Sequence, residues 1–141
     1  MPDILIATNP QQRDDAFAVR IAVFVDEQRI PRSEELDELD ETATHCVGYV
    51  DGAPVAAGRL VLAEGHAKIG RMAVLARHRG AGLGRLLLEA LEREGAARGV
   101  HTFRLSAQLY AAAFYERAGY TRQGDVYEEV GIPHIAMEKS V

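Results

Sequence analysis

Residues 72–88, MAVLARHRGAGLGRLLL, carry three glycines at alternate positions, Gly80, Gly82 and Gly84, between a β-type run and an amphipathic helical one. That order restricts the local fold to a strand ending at Leu75, a glycine-rich turn, and a helix opening near Gly82. With no side chains above it, the turn presents the backbone N–H groups of Arg79, Gly80, Ala81, Gly82, Leu83 and Gly84. The first amides of the helix and the positive end of its dipole point the same way. Such a turn suits an anion, most often a phosphate, and Arg79 and Arg85 flank it. A diphosphate-bearing cofactor is the expected occupant. The spacing excludes two familiar nucleotide sites. No Gly-x-x-x-x-Gly-Lys-Ser/Thr run exists, and a dinucleotide fingerprint needs glycine where Arg85 stands.

A chain of 141 residues with 48% apolar content suits one domain spanning residues 1–141. Its net charge of −5 argues against a nucleic-acid surface, yet leaves room for a small basic amine as substrate. A single cysteine, Cys46, excludes an internal disulfide framework and fits a reducing compartment. There is no apolar run of membrane-spanning length and no basic-then-apolar leader, so a cytoplasmic location and no membrane partner are expected.

Along the chain, Asp3–Thr8 reads as a strand, and Asn9-Pro10 starts an amphipathic helix through residues 12–25 with Phe17, Arg20/Ile21 and Phe24 on its core face. Asp26–Thr44 shows no period. Its densely acidic centre, Glu34–Glu41, is expected to be a solvated loop or short surface helix, some of whose carboxylates attract a cationic amine and accept its proton. Glu27, Asp37 and Glu38 are the candidate substrate contacts. Strands at His45–Asp51, Ala53–Leu62 and His66–Leu75 follow, the first two joined by the hairpin signal Asp51-Gly52. The helix Gly82–Arg98 then shows an apolar face of Leu83, Leu86, Leu87, Ala90 and Leu91. Val100–Ala107 is a strand parallel to its predecessor because a helix intervenes. A short helix ending at Gly119 and two strands, from Tyr120 and from His134, complete the order β-α-β-β-β-α-β-α-β-β.

Arg77-x-x-Gly80-x-Gly82 matches the Gln/Arg-x-x-Gly-x-Gly/Ala signature of the GNAT acyltransferases, and Gln108–Tyr120 (QLYAAAFYERAGY) resembles their second hallmark, with Gln108 where asparagine is usual. The segments around Val19–Gln28 and Gly131–His134 look like a small bacterial single-domain branch of that family. The resemblance implies an α+β fold with a mixed, mostly antiparallel sheet, helices on both faces and a splayed cofactor cleft. It implies acetyl-CoA as donor, with the pyrophosphate on the amides of residues 79–84 and the pantetheine paired to the backbone of Met72, Ala73 and Val74. Gln108 would contact the pantetheine.

Tyr115 is the candidate acid that meets the leaving thiolate, and it also touches the cofactor. A base must take a proton from the attacking amine, whose free pKa is around 10. Many members of the family it resembles carry glutamate at the position of Gly70, so this chain lacks the usual group. Glu27, Asp37, Glu38, His45 and His134 are the candidates that remain, with His134 next to the cleft on the family pattern and named as catalytic. No metal site is expected, since the histidines lack ligand spacing and Cys46 stands alone. Cys46 and His45 should point to opposite faces of a strand, which argues against a nucleophile pair. The expected activity is acetyl transfer from acetyl-CoA to a primary amine of a small molecule in a ternary complex. Transfer of a longer acyl group, an oxygen acceptor, or a CoA-binding module without turnover are the alternatives. The sequence leaves the oligomeric state open, although exposed sheet edges in so small a domain are compatible with a homodimer.

Overall fold

The computed structural model describes residues 2–141. Strands β1 (Asp3–Ile6), β2 (Thr44–Val50), β3 (Ala53–Ala63), β4 (His66–Val74), β5 (Thr102–Gln108), β6 (Thr121–Glu129) and β7 (Ile132–Ser140) form one sheet in the order β1-β2-β3-β4-β5-β7-β6. Helices α1 (Pro10–Arg20), α2 (Arg32–Glu35), α3 (Leu83–Ala97) and α4 (Ala112–Arg117) connect them. All strand pairs are antiparallel except β4 with β5, as the intervening helix requires. Among the described residues no helix is long and apolar enough to cross a membrane.

Alternation along the strands divides the interior into two cores. Cys46, Ala56 and Phe103 face α3 and α4, whereas Val47, Ala57 and Ala73 face α1. The helices therefore lie on both faces, and His45 and Cys46 do point apart. Helix α1 starts as its sequence dictates, with the Asn9 side chain accepting from Gln12 N–H at 2.8 Å and Pro10 in the first turn. It then widens into a π-helical turn over Ile21–Glu27, which no periodicity announces. On α3 the buried face is Leu83, Leu87, Leu88, Ala90, Leu91 and Gly95, while Leu86 is exposed. Gly95 is there for packing, because a Cβ would lie 2.5 Å from the Phe103 ring.

Strand β7 begins at Ile132, two residues before the expected start. The tight turn before it is at Val130-Gly131, both with positive φ. Pro133 is tolerated because it lies beyond the end of β5 and pairs with Glu128 of β6 alone.

The acidic segment departs most from expectation. Glu35 and Asp40 are buried rather than solvated, and so is Arg20, which is 0% exposed. The Arg20 guanidinium donates to Glu35 at 2.7 Å and to Asp40 at 2.8 Å, under the ring of Phe17 at 5.2 Å. Arg59 of β3 donates to Asp37 at 2.8 Å and Asp40 at 3.0 Å, and Arg71 of β4 lies 3.2 Å from Asp37. Three arginines and three carboxylates thus bind the segment to α1, β3 and β4.

Burial opposes the charge of Asp40. The Arg20 hydrogen bond and charge overcome it, with the Asp37 backbone N–H and Arg59, and hold the carboxyl at about 2 instead of 3.8. Replacing Arg20 by Met strands two buried carboxylates, and should lower the unfolding free energy in urea by about 3–5 kcal/mol. A carboxyl depressed in the folded state stabilises it above the unfolded value and ceases to do so as pH falls through the folded one. Asp40 therefore contributes about 2 kcal/mol above pH ~4 that disappears on acidification towards pH 2. The acid limb of a stability–pH curve should be shallower in Asp40→Asn.

Candidate active site

β4 and β5 pair only through Ala67–Phe103 and Lys68–Arg104, after which the strands part. The cause is in β4, where Arg71 and Met72 together oppose Gly58 in a bulge that bends the strand. Gly58 accommodates the bulge, since a Cβ there would approach the Met72 sulfur to 2.9 Å. Arg71 adopts φ +53, a strained conformation for a non-glycine residue, and is held in it by its hydrogen bond to the Glu35 carbonyl and by Asp37.

Above the bulge, Leu75 N–H donates to Val55 and Ala73 lies opposite Ala57, so the main-chain groups of these two residues belong to the β3 ladder. Alternation then aims those of Met72 and Val74 at the open edge. The Val74 carbonyl confirms the direction by accepting from Arg79 Nε at 2.8 Å. Of the three expected backbone contacts, Met72 and Val74 face the gap and Ala73 does not.

Two cavities flank this edge, of about 560 and 460 Å³, and both are lined by Met72, Ala73, Val74, Arg79, Ala111 and Tyr115. The smaller one extends over the glycine turn, where Gly80, Gly82, Leu83 and Gly84 line it and Ala81 is exposed beside it. Gly80 and Gly82 have φ of +85 and +83, and a Cβ on either would project into open space. Gly84 serves packing, because a Cβ would lie 3.2 Å from the Phe114 ring. No side chain caps the N-terminus of α3, so its first amides remain available. An open cradle of positive-φ glycines at an uncapped helix start fits a diphosphate. The Arg79 side chain, however, is engaged elsewhere, donating from Nη1 and Nη2 to Glu27 at 2.8 Å each. His78 and Arg117 line this cavity too, which no motif had flagged.

Tyr115 sits between the cavities, 9% exposed, edge-on to Phe114 and Tyr120. Burial pushes its hydroxyl well above the ordinary phenol range, with a smaller contribution from Tyr110, so it keeps its proton. Gln108 lines the larger cavity alone, and its amide donates to Gln28 at 2.8 Å across the mouth of the gap.

His134 lines the larger cavity as well, in register with Gln108 and Tyr127. Its Nδ1 donates to the Ile132 carbonyl at 2.7 Å, which leaves Nε2 as the acceptor nitrogen, 3.7 Å from Glu129. Tyr127 stacks on the imidazole and its hydroxyl bonds to Ser106.

The other candidate bases are elsewhere. Glu27 is paired with Arg79, Asp37 with Arg59 and Arg71, and Glu38 is exposed outside both cavities. The His45 ring is bonded to the Asp40 carbonyl, and burial lowers its affinity for a proton. Glu27 and Asp37 are thus already paired, and Glu38 lies away from the cavities, so none of the three is a free carboxylate in the cleft. Gly70 lines the larger cavity with open space where a side chain would stand. Among the described residues no cluster of three or more His, Cys, Asp or Glu side chains is able to hold a metal.

A splayed parallel pair with an anion cradle below it defines an acyl-CoA-dependent transferase fold, and comparison with known proteins gives the family. The family model for the acetyltransferase (GNAT) domain matches residues 10–141. The chain is 43% identical over 136 residues to the uncharacterised N-acetyltransferase YjcF of Bacillus subtilis (strain 168), covering 96% of this chain and 97% of that one. It superposes on an acyl-CoA N-acyltransferase from Pseudomonas aeruginosa with TM-score 0.86 and 30% identity, covering 99% of each chain. Escherichia coli ElaA gives TM-score 0.84 and 28% identity, again over 99% of each chain. The chain belongs to the GNAT acetyltransferase family, whose acyl donor is acetyl-CoA.

Cys46 is 0% exposed, and burial above all pushes its thiol up to about 12. It should therefore stay silent towards a disulfide reagent at pH 8 in the folded protein and react once the chain is unfolded in guanidinium. A thiol-release assay on this protein should accordingly read CoA with no background from the chain.

Proposed function

We propose that the protein transfers the acetyl group of acetyl-CoA directly to a primary amine of a small molecule, with both bound at once. The observation that carries the reading is the meeting of two cavities along one open strand edge at Tyr115. The smaller takes the donor and the larger the acceptor.

Acetyl-CoA supplies an activated acyl carbon and a thiol leaving group. Residues 79–84 bind the diphosphate through their amides, and the open groups of Met72 and Val74 hold the pantetheine arm as an added strand. A Val74 N–H aimed at the gap also polarises an acyl oxygen placed there. His134 Nε2 takes the proton of the attacking amine, and Glu129 beside it stabilises the charge the ring acquires. Tyr115, kept protonated by burial until this step, gives its hydroxyl proton to the departing sulfur, so that CoA leaves as the thiol, and the phenolate regains a proton from solvent once CoA has left. The missing carboxylate at Gly70 is answered from the opposite side of the gap. The side chain of Gln108 faces the acceptor cavity, so it orients the acceptor end of the arm.

Tyr115→Phe should lower kcat by about a hundredfold, within the range of general acid catalysis, while the Kd for CoA by calorimetry changes less than about threefold. Equal losses in kcat and CoA affinity would instead make Tyr115 a packing residue. Comparing acetyl, butyryl and octanoyl donors in the thiol assay separates acetyl transfer from longer acyl chemistry. A broad amine panel that releases no thiol, although CoA binds, would identify a binding module.

A further inference from the structure

One hairpin turn of the sheet carries a residue that its geometry disfavours. Glu129 of β6 pairs with Ile132 of β7, so the loop between them is two residues long, and Val130 and Gly131 in it have φ of +48 and +75. The loop between β2 and β3 is built the same way, with Val50 opposite Ala53 and φ of +52 and +79 at Asp51 and Gly52. Aspartate tolerates that conformation, whereas a β-branched side chain is strained in it. Among the described residues Val130 is the one β-branched residue with positive φ. Strain of this kind persists where the position serves a site.

Val130 stands on the rim of the larger cavity, in apolar company. Of the nine large apolar side chains exposed among the described residues, four line that cavity: Leu39, Tyr110, Tyr127 and Val130. They come from the acidic segment, the turn after β5, the end of β6 and the hairpin loop, so no single apolar run brings them together. Tyr110 is 78% exposed. Exposed apolar groups gathered around a cleft mark a surface that takes an apolar ligand.

The charges of the lining do not compete with this. Arg59 and Arg71 are engaged by Asp37, Arg79 by Glu27 and Arg104 by Glu138. Glu34 and Lys68 are opposite in sign and both exposed to water, and Glu129 faces His134. The unengaged part of the rim is apolar.

We infer that the acceptor is a primary amine carried on an apolar body, aryl or alkyl, which lies against Val130, Tyr110 and Leu39 with its amine at His134. The position of the amine rests on the proposed acetyl transfer, but the apolar rim does not. Recognition is then by the body of the acceptor and not by the acidic segment, and Val130 is the residue whose side chain the strained turn places for it.

The test sets 2-phenylethylamine and hexylamine against ethanolamine, titrated into CoA-loaded protein in a calorimeter. One or both apolar amines should bind at least about tenfold more tightly than ethanolamine, and the better of them names the body. Val130→Asn should reduce that preference at least about fivefold while raising the melting temperature by roughly 3–6 °C, because asparagine accepts the turn. Val130→Ile, apolar and equally strained, should keep the preference. Apolar amines that bind no better than ethanolamine, or give no measurable heat, overturn the inference. So does a preference that survives Val130→Asn, or a Val130→Asn protein that melts no higher than the parent. Two other occupants of the rim are tested alongside. A dimer in light scattering that Val130→Asn dissociates assigns the rim to a second copy of the chain, and tighter binding of octanoyl-CoA than of acetyl-CoA that Val130→Asn abolishes assigns it to an acyl chain; either overturns the inference. Thiol release with the same three amines keeps the two readings apart. No release with any of them overturns acetyl transfer, while the calorimetry still decides the apolar rim.

Discussion

The structure depends on a sheet that stops pairing in its middle. Backbone N–H and C=O groups inside a domain need partners, and an unpaired stretch of central strand is costly unless something else meets them. Here the bulge at Arg71-Met72 turns β4 away from β5, and the two strands keep company only at Ala67–Lys68. The released edge does not go wholly unmet, since Arg79 reaches back to the Val74 carbonyl. The rest of the edge is open to a ligand that pairs as a strand does. Gly58, which lets Met72 approach, and the strained Arg71 are parts of one device that holds the gap at a fixed place.

The six charges of Arg20, Arg59, Arg71, Glu35, Asp37 and Asp40 hold that device from the other side. Buried ion pairs rarely add much net stability, because desolvation offsets their attraction. Their use here is positional. They fasten an otherwise irregular segment to α1, β3 and the bulge, and they form one wall of the larger cavity through Glu35, Arg59 and Arg71. Removing Arg20, the most buried member, leaves the carboxylates of Glu35 and Asp40 buried with their main partner gone.

Much of this was legible in the sequence, and the boundary between what was and was not follows sequence distance. The glycine turn, the hairpin at Asp51-Gly52, the capped start at Asn9-Pro10 and the order of elements rest on local chemistry, and each stands within a residue or two of its expected place. The two hallmark segments led to the family in the same way, and the second contains Tyr115, which lines both cavities. The acidic segment was misread because its partners, Arg20, Arg59 and Arg71, lie some 15 to 36 positions away in the chain. A run of Glu and Asp looks solvated unless one knows that three arginines from other elements converge on it. The π-helical turn in 21–27 and the two-for-one bulge opposite Gly58 were illegible for a further reason: each is a departure from a period, and a period is all a single sequence displays.

The joint between the two halves of the sheet is spanned by weaker links than those that build either half. Glu27 at the end of the π-helical turn meets Arg79, and Gln28 next to it meets Gln108, so one short segment touches both lips of the gap. Both members of the Glu27–Arg79 pair are over 40% exposed, and an exposed pair contributes at most about 1 kcal/mol. Bonds of that size keep Arg79 against the Val74 carbonyl without resisting exchange. The strong contacts of the fold are spent on placing the strands, the bulge and the buried charges, and the weak ones lie at the positions where backbone edge and cavity meet. Walls fixed by strong contacts and a mouth bridged by weak ones are what the proposed transfer, with two ligands bound at once, would require.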